Sequence, residues 1–348
     1  MSSFLLPYSL KNKKAFRIAH GQRTETQTLL IQIEKDGITG LGEAAHVPYY
    51  GISIESSLEL IRNIWGEIYP VIGESADQFW ELAKSKLGKN HFALCALDIA
   101  HHDWLSKRNQ MSLSRNLGIT LKDVPVSSFT IGMDTFEEMQ KSISETDFPY
   151  LKIKLGSEDD YNLIDRLREH SKKPFRIDVN GGWTLEYSLK MAKKLEEVGG
   201  IEFLEQPLGK GILESNGKIK NSTELLLFAD ETCMWKEDVK RCAPYFDGIN
   251  IKLSKCGGIT PALKMINEAR ELNLKIMLGC MTESSAGISA LAHLSPLVDF
   301  VDMDGACMIS NDPVDGVNII KGVAEFNDRF GHGGLLKDGI EQRGIIAL

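Results

Sequence analysis

The chain has 348 residues, of which 43% are hydrophobic and 25% are charged, and its formal net charge at pH 7 is −8. This composition is typical of a globular protein with a large core and excludes intrinsic disorder. The sequence contains no run of 18 apolar residues, so no transmembrane helix is expected. The acidic balance, without a basic block, argues against nucleic acids and anionic membranes as partners.

Targeting and cysteine signals favour a cytoplasmic location. Near the start of the chain, a short apolar patch precedes the basic cluster of Lys11, Lys13 and Lys14, whereas a secretory signal has the opposite order. The six cysteines are scattered without the spacing of a zinc site. Reduced thiols in a cytoplasmic protein are therefore the expected state.

Residues 1–122 have the pattern of an α+β domain. Residues 28–33 (TLLIQI) predict a strand, an Asp-Gly turn follows, and a second strand leads to Glu43. Residues 54–118 are helical in pattern. The most apolar helix carries His101 and His102, which we interpret as packed or hydrogen-bonded core histidines and not as ligands.

From residue 123 onward, short β-branched runs alternate with longer helical segments, which predicts a parallel sheet. The predicted strands cover residues 124–131, 150–155, 175–179, 201–204, 225–229, 248–253, 275–278 and 298–302. Eight strands at even spacing favour a closed (β/α) barrel over residues 123–316. The Gly-rich tail, 317–348, cannot form another barrel unit, and we expect it to pack onto the first domain.

Polar side chains recur near the ends of most of these strands, about one strand–helix unit apart. They are Lys152, Lys154, Asp178, Asn180, Glu205, Asp230, Asn250, Lys252, Cys280, Asp302 and Asp304. Because side chains alternate along a strand, Lys152 and Lys154 share one face, and Leu151 and Ile153 share the other. The carboxyl ends of barrel strands form one rim, where active sites lie, so we expect a ring of polar side chains around one cavity.

Asp178, Glu205 and Asp230 follow three consecutive predicted strands. Three converging carboxylates repel one another and raise one another's pKa values unless a cation lies between them. Ligation by oxygen alone, with room for water or substrate oxygens, favours Mg²⁺ over Zn²⁺. The sequence therefore predicts a magnesium site on the barrel rim.

Lys154 and Lys252 lie on the strands before and after this triad. A nearby cation and a second ammonium group disfavour the charged form of a lysine, so we expect a lowered pKa and a general base near neutral pH. Lys152, on the same face as Lys154, adds a like charge that acts in the same direction. Two bases across a metal-held carboxylate suit removal of the proton α to that carboxylate and return of a proton on the opposite face.

Several segments of the chain together resemble the enolase superfamily. They are residues 151–156 (LKIKLG), 177–183 (IDVNGGW), 204–207 (LEQP), 229–231 (ADE), 250–258 (NIKLSKCGG), 278–283 (LGCMTE) and 302–305 (DMDG). Within the superfamily, the chain is similar to the muconate-lactonizing-like subgroup and to its dipeptide epimerases, the L-Ala-D/L-Glu epimerase group. The use of a lysine base with Mg²⁺ is a known property of the superfamily.

The resemblance implies an α/β fold, a modified TIM barrel of the (β/α)7β type. An α+β capping domain, completed by the C-terminal tail, would cover its mouth with loops around residues 16–25 and 46–51. The implied ligands of one Mg²⁺ per subunit are Asp178, Glu205 and Asp230. The implied acid/base pair is Lys154 and Lys252, and Lys255 is expected in the loop that follows the strand.

The implied reaction is epimerisation of a dipeptide at the α carbon of its C-terminal residue, by two-base 1,1-proton transfer through a metal-stabilised enolate. Asp302 and Asp304 would receive the α-ammonium group of the substrate. The other positions assigned to substrate binding are Lys152, Thr130, Cys280 and Arg23. Arg23 matches an arginine that pairs with the side-chain carboxylate in glutamate-specific relatives, so L-Ala-D/L-Glu is one expected substrate, and another Ala-Xaa or hydrophobic dipeptide is the other.

Three alternatives to dipeptide epimerisation are considered. Acid-sugar dehydratases carry a histidine base on the seventh strand, where this chain has Cys280. An o-succinylbenzoate synthase or a muconate cycloisomerase would share the paired lysines, but its substrate would leave Asp302 and Asp304 unpaired. A non-catalytic ligand-binding barrel would be expected to have lost at least one lysine. The sequence leaves the oligomeric state open, and a homo-oligomer is compatible with it.

Overall fold

The computed structural model describes residues 2–18, 21–340 and 344–348 of the chain. Its α-helices are α1 (Ile54–Ile68), α2 (Ala76–Leu87), α3 (His91–Arg108), α4 (Leu113–Asn116), α5 (Phe136–Glu145), α6 (Asp160–His170), α7 (Leu185–Val198), α8 (Leu213–Lys220), α9 (Lys236–Cys242), α10 (Leu253–Cys256), α11 (Ile259–Glu271) and α12 (Ser285–Ala292). Its strands are β1 (Phe4–Ile18), β2 (Gly21–Lys35), β3 (Ile38–Ala45), β4 (Ser128–Ile131), β5 (Tyr150–Lys154), β6 (Phe175–Asp178), β7 (Ile201–Glu205), β8 (Leu226–Ala229), β9 (Gly248–Lys252), β10 (Lys275–Gly279), β11 (Phe300–Asp302), β12 (Val314–Asp315), β13 (Asn318–Ile320), β14 (Val323–Glu325), β15 (Leu335–Leu336) and β16 (Ile346–Ala347).

The N-terminal part of the chain forms an antiparallel sheet with the strand order β16-β1-β2-β3. The two strands predicted here are present as β2 and β3, but β2 is longer than expected, and β1 was not predicted. The segment over residues 16–25, expected as a loop at the barrel mouth, is a hairpin and not a loop, because residues 16–18 of β1 pair with residues 21–23 of β2. Residues 19 and 20 of that predicted loop lie outside the described residues.

Helix α3 packs against this sheet and is the most buried helix of the cap. All of its residues from His91 to Ser106 are buried, as the apolar pattern predicted. It approaches β3 closely, since a Cβ at Gly40 or Gly42 would collide with the backbone carbonyls of α3. Both predicted core histidines are confirmed: His101 stacks on a phenylalanine with ring centroids 3.9 Å apart, and His102 lies 2.8 Å from the hydroxyl of Thr260.

The predicted barrel is confirmed. In the described part of the chain, eight parallel strands follow one another from β4 to β11, and each connection between them carries at least one helix. Ser127, just before β4, forms a parallel bridge with Val301 of β11, and its hydroxyl accepts a hydrogen bond from Met303 N at 2.8 Å. The first and last strands therefore meet, and the barrel is nearly closed.

Burial along the barrel strands follows the alternation expected from the sequence. On β5, Leu151 and Ile153 are fully buried among the outer helices, and Lys152 and Lys154 are buried on the opposite face. A charge inside an apolar barrel is unfavourable unless it is paired, so the interior must contain its own counter-charges.

The C-terminal tail contributes strands to the cap. Strand β16 pairs with β1 through Phe4 and Leu5, and His332 Nε2 lies 2.7 Å from the carbonyl oxygen of Leu41 in β3. Two small two-stranded sheets, β12 with β15 and β13 with β14, precede β16 along the chain. Among the described residues, no helix combines the length and apolar character needed to cross a membrane.

Cap and barrel are joined by buried hydrogen bonds. Asp98 of α3 accepts from the backbone N–H of Thr260 at 2.8 Å and from its hydroxyl at 2.7 Å, at the start of α11. Glu43 of β3 accepts from the backbone N–H groups of Ser284 and Gly287 at the start of α12. These contacts fix the cap over the carboxyl ends of the barrel strands.

Candidate active site

A pocket of about 80 Å³ lies at the carboxyl ends of the barrel strands, beneath the cap. The cap contributes the β1–β2 hairpin and the segment around the 3-10 helix Pro48–Tyr50, which lies within the predicted mouth loop at residues 46–51. The predicted site residues that line it are Arg23, Thr130, Lys152, Lys154, Lys252, Cys280, Asp302 and Asp304. The structure thus brings together every predicted site residue other than the metal ligands around one pocket.

The three predicted metal ligands lie together beneath these lysines. Asp178 and Glu205 are the last residues of β6 and β7, and Asp230 directly follows β8. One carboxylate oxygen from each of the three lies within 4.8 Å of the others, and all three residues are fully buried. Adjacent parallel strands end at the same level, which is why residues so far apart in sequence converge.

The donor set fits a hard divalent cation. All three ligands are carboxylates, which suit Mg²⁺ and leave coordination positions for substrate or water oxygens. Burial and the charge of Asp178 raise the pKa of Glu205 to about 7, as expected for carboxylates crowded in a dry site. A divalent cation would offset this repulsion, so these residues would hold Mg²⁺.

Lysines supply counter-charge to the triad. Lys152 Nζ lies 2.9 Å from a carboxylate oxygen of each of Asp178, Glu205 and Asp302, and only 1% of the residue is exposed. Lys154 Nζ lies 2.6 Å from Asp178. Although burial opposes ionisation, Lys152 and Lys154 lower the pKa of Asp178 to about 2.

Lys154 has a second polar partner. Its Nζ donates to Asn180 Oδ1 at 3.1 Å, and Asn180 Nδ2 in turn donates to Glu231 Oε1 at 3.0 Å. Asn180 has a left-handed backbone, with φ of 48°, which asparagine adopts more readily than most residues. The chain from Lys154 through Asn180 to Glu231 fixes the direction in which the ammonium group points.

Lys252 and Lys255 both contact Asp230. Lys252 Nζ lies 2.7 Å from Asp230 Oδ2, and Lys255 Nζ donates to Asp230 Oδ1. The prediction that Lys255 lies in a loop is wrong: it lies in the one-turn helix α10, is fully buried and also donates to three backbone carbonyls. Only Lys252 of the two lines the pocket, in line with the choice made from the sequence.

The lowering of the lysine pKa values was expected beside a bound cation, and without a cation the charges around Lys252 and Lys152 act in the opposite direction. Burial opposes the charged form of Lys252, but the carboxylate of Asp230 outweighs it, and the pKa is raised above its ordinary value. For Lys152, the contacting carboxylates of Asp178, Asp302 and Glu205 outweigh the effect of burial in the same way and raise the pKa above its ordinary value. The expectation considered the charges of the cation and of the other ammonium groups. The carboxylates beside each lysine act in the opposite direction and were not considered.

Asp302 and Asp304 lie at the end of β11, next to β4. Asp302 already has a cationic partner in Lys152, and it accepts from the hydroxyl of Ser128 at 3.2 Å. Asp304 accepts from the backbone N–H of Thr130 at 2.6 Å. Burial and the charge of Asp302 raise the pKa of Asp304 to about 7, so this carboxyl lacks a compensating positive charge.

Sequence reasoning missed several polar residues at this site. Glu231 lines the pocket and is buried; burial and the charge of Asp230 raise its pKa. Its Oε2 has no hydrogen-bond partner among the described residues. Asn250 belongs to the predicted ring of polar side chains, but the sequence assigned it no role. Its side-chain Nδ2 donates to Glu205 Oε1 at 2.7 Å. The segment ADE at 229–231 was the one signal for Glu231.

The cap side of the pocket is partly aromatic. Tyr49 and Tyr50 line it together with Phe16 and Arg23. Burial and the charges of Asp230 and Glu231 raise the pKa of Tyr50 well above its ordinary value, so its hydroxyl stays neutral. No pattern in the sequence distinguished these tyrosines from ordinary core residues.

Two family models match the chain. "Mandelate racemase / muconate lactonizing enzyme, N-terminal domain" matches residues 5–118, and "Enolase C-terminal domain-like" matches residues 134–333. A curated relative from Flavobacterium johnsoniae, described as an L-Ala-D/L-amino acid epimerase, is 38% identical over 96% of this chain and 99% of its own length. Another, from Maribacter sp. and described in the same words, is 41% identical over 92% of this chain and 94% of its own length.

Solved structures agree with these matches. The dipeptide epimerase from Cytophaga hutchinsonii, in complex with Mg and D-Ala-L-Val, superimposes with a TM-score of 0.91 at 25% identity and covers 99% of this chain and 98% of its own. The resemblance read from the sequence is confirmed. The chain belongs to the enolase superfamily, in the mandelate racemase/muconate lactonizing enzyme family that includes the dipeptide epimerases.

Proposed function

We propose that the protein is an Mg²⁺-dependent dipeptide epimerase that inverts the α carbon of the C-terminal residue by two-base 1,1-proton transfer. The observation that carries this proposal is the placement of two buried lysines across one pocket. Lys154 ends β5 and Lys252 ends β9, four strands apart in an eight-stranded barrel, and each contacts a different carboxylate of the triad. Two amines in this arrangement can reach one carbon from opposite faces.

The two lysines act as an acid/base pair. In its neutral form, one takes the α proton from the face that it approaches and becomes an ammonium group. The other, charged at that moment, gives a proton to the opposite face and becomes a neutral amine. The configuration of the carbon is then inverted, and no proton is gained or lost by the pair. Exchange with solvent restores either lysine for the next turnover.

Asp178, Glu205 and Asp230 are the proposed magnesium ligands. When bound, Mg²⁺ would supply the positive charge that stabilises negative charge developing on the substrate carboxylate as the α proton leaves. Lys152 links this triad to Asp302 and holds the carboxylates in place. Lys255 fixes Asp230 from the side away from the pocket.

Asp302 and Asp304 are proposed to bind the α-ammonium group of the dipeptide. The uncompensated, buried carboxyl of Asp304 supports this, because a cation beside it would offset its desolvation. Relatives described as acting on L-Ala dipeptides also support it. An o-succinylbenzoate synthase or muconate cycloisomerase is less well supported, because its substrate would bring no cation to this end of the pocket.

The remaining contacts select the substrate. Thr130 and Cys280 line the pocket beside Asp304 and the end of β10, and Arg23 faces it from the cap. Arg23 would pair with an acidic side chain of the second residue, whereas Tyr49 and Met281 would pack against an apolar one. The proposed substrates are thus L-Ala-D/L-Glu and hydrophobic dipeptides.

Deuterium exchange tests the two-base scheme. In D₂O with Mg²⁺, the wild type should label the α carbon of the second residue of a dipeptide and produce both epimers. Lys154→Ala and Lys252→Ala should each lower epimerisation by roughly 10²- to 10⁴-fold, the range expected for loss of a general acid or base. Each variant should retain labelling of only one epimer, measured by mass spectrometry and chiral chromatography.

Lys240→Ala, which removes a lysine whose side chain is 74% exposed on α9, is the matched control and should behave as the wild type. Inversion at full rate in either active-site variant, or labelling of both epimers by it, would contradict the scheme.

The domain boundaries, the cellular location and the partners are part of the same proposal. Residues 1–122 with 317–348 would form the cap, and 123–316 the catalytic barrel. The net charge of −8 and the free state of all six cysteines support action in the cytoplasm, on a small dipeptide, without nucleic acid or membrane partners. A homo-oligomer is compatible with this assignment.

A further inference from the structure

The turn that follows Lys252 makes hydrogen bonds to the cap. Strand β9 ends at Lys252, and α10, which has a single turn, begins with the next residue. A helix this short has little stability of its own, so its position depends on tertiary contacts. These contacts matter for the reaction, because the turn fixes the backbone on one side of a proposed base.

Three cap side chains bind this turn and the helix after it. His91, the first residue of α3, places its Nδ1 2.6 Å from the carbonyl oxygen of Ser254. Trp80 of α2 donates its Nε1–H to the carbonyl oxygen of Gly257 at 3.0 Å. Asp98 of α3 binds the start of α11 as described above. The cap thus contacts the chain at three successive points after β9.

His91 binds the part of the turn that is nearest to Lys252 in sequence, since Ser254 is the second residue after it. Burial lowers the pKa of His91 to about 4, so its ring is neutral near pH 7 and carries one proton. A carbonyl oxygen can only accept a hydrogen bond, so this proton is on Nδ1 and is donated to Ser254.

The turn after the other proposed base, Lys154, has partners in the barrel itself. Asp160 of α6 accepts from the backbone N–H groups of Gly156 and Ser157 at 2.7 Å and 2.8 Å. Trp183, which follows β6, donates its Nε1–H to the same carboxylate at 2.7 Å. The two turns that carry the backbone away from the two lysines are therefore fixed by different domains.

We infer that His91 is a positioning residue, which holds the turn after Lys252 through the carbonyl of Ser254 and thereby directs the amine of Lys252 toward the α carbon of the substrate. This inference rests on the proposed two-base function and gives the cap a part in catalysis on one face of the substrate. Among the described residues, the lining of the pocket does not include His91, so it acts through the backbone of the turn.

Two substitutions of His91 separate its hydrogen bond from its ring. His91→Phe keeps a ring that can meet Tyr50, whose centroid lies 5.3 Å from that of the imidazole, but it removes the donor to Ser254. His91→Asn removes the ring and keeps an N–H donor at the position of Nδ1. The first substitution should misdirect Lys252, and the second should not.

Exchange from each face measures the direction of the base. Initial rates of α-proton exchange in D₂O with Mg²⁺ are measured for each pure epimer of one dipeptide, and the ratio of the two rates is taken. Lys252→Ala identifies the epimer whose proton faces Lys252. His91→Phe should lower exchange of that epimer roughly tenfold relative to the other, and His91→Asn should keep the wild-type ratio.

The ratio does not depend on the fraction of protein that is folded, because both rates come from the same sample. Trp80→Phe removes the donor to Gly257 and should change the ratio in the same direction, which keeps the inference testable if His91→Phe does not fold. His101→Phe is the matched control: this histidine of α3 accepts from Gly73 N at 3.2 Å, and its replacement should leave the ratio unchanged.

The outcomes separate the inference from the proposed function. If the wild type exchanges both epimers and the ratio is unchanged in His91→Phe, or in Trp80→Phe where the former does not fold, His91 does not position Lys252 and the proposed function stands. An equal change in His91→Phe and His91→Asn would also overturn the inference, since the ring would then carry the effect. If no dipeptide exchanges its α proton in the presence of Mg²⁺, the proposed function fails, and the inference fails with it.

Discussion

Asn180 connects Lys154, one of the two proposed bases, to the buried carboxyl group of Glu231, which is not among the three proposed metal ligands. Its side-chain oxygen accepts from Lys154, its side-chain nitrogen donates to Glu231, and its backbone N–H donates to Asp178. Lys252 has no side-chain amide partner among the described residues, and its ammonium group donates to Asp230. The two lysines of the proposed pair are therefore oriented by different partners, and under the two-base scheme each face of the substrate would depend on a different set of residues.

Removal of the Asn180 side chain should affect the two faces unequally. We expect Asn180→Ala to reduce α-proton exchange from the epimer that faces Lys154 roughly tenfold more than from the other epimer, because only that base loses its orienting contact. The rates are measured with each pure epimer in D₂O under single-turnover conditions.

Asn180→Gly is the matched variant, because glycine adopts the left-handed backbone without strain. Both variants should show the same asymmetry. An equal loss for both epimers, or an asymmetry in the alanine variant alone, would mean that Asn180 acts through backbone structure and not through Lys154.

At this scale, sequence reasoning located side chains better than it located their partners. The parity of β5 and β9 identified Lys154 and Lys252, because alternation holds as long as the strand continues. Alternation could not place Lys255, which was expected in a loop, since the chain turns into α10 at Leu253 and alternation no longer applies there. The pairing of Lys152 with Asp302 depends on the reach of a long side chain across the barrel, which no spacing encodes.

Helix α12 begins at the junction of cap and barrel, where two carboxyl groups meet. Glu43 of β3 accepts hydrogen bonds from the first backbone N–H groups of the helix, which have no partners within it. Glu283, just before the helix, accepts from Met281 N at 3.0 Å. Burial and the charge of Glu43 raise the pKa of Glu283 to about 8, so it is protonated at neutral pH.

This pair makes stability depend on pH in a defined direction. Glu283 binds its proton more tightly in the folded state than at its ordinary value of 4.5. Its contribution is therefore fully present below about pH 4.5 and is lost as the pH rises through about 8. Glu283→Gln, which cannot ionise, should lose less unfolding free energy than the wild type between pH 5 and pH 8, by roughly 3 to 4 kcal/mol.

Urea unfolding at the two pH values measures this difference. Glu271→Gln, a substitution of an exposed residue at the end of α11, is the control and should follow the wild type. If the difference between Glu283→Gln and the wild type is the same at pH 5 and pH 8, Glu283 is ionised in the folded state and the prediction is wrong.

The barrel elements were predictable, and part of the cap was not. Buried β-branched runs separated by helical segments identify the parallel strands of a barrel, and every predicted run overlaps one of β4 to β11. Strand β1 contains Pro7, and its outer half carries three lysines, Asn12 and Arg17, so its alternation is weak. The two- and three-residue strands of the tail are set by tertiary contacts, which short segments do not encode.

At the scale of the whole molecule, the site concentrates like and unlike charges in a dry interior. Four lysines contact the carboxylates of the triad. The raised pKa of Glu205 indicates that their positive charge does not fully compensate the negative charge of the triad. A ligand that binds only the folded state raises its stability, by about 2.7 kcal/mol at about 100 times Kd. Magnesium should therefore raise the melting temperature of the protein.

Glu205→Gln tests whether this effect arises at the triad. The variant keeps the shape of the side chain and an oxygen for Asn250, but it removes one ligand charge. We expect the Mg²⁺-dependent rise in melting temperature, measured by scanning calorimetry, to be largely lost in this variant. Potassium chloride at equal ionic strength corrects for screening. The same rise in both proteins would place the bound cation elsewhere.

The pairing of β16 with β1 has a consequence for how the protein is made. The outer edge of β1 at Phe4 and Leu5 is covered by Ile346 and Ala347. During synthesis on the ribosome, β1 emerges early and β16 more than 300 residues later. The nascent cap therefore presents an open strand edge for most of translation, and it is in this interval, not in the finished protein, that intermolecular pairing and aggregation are favoured.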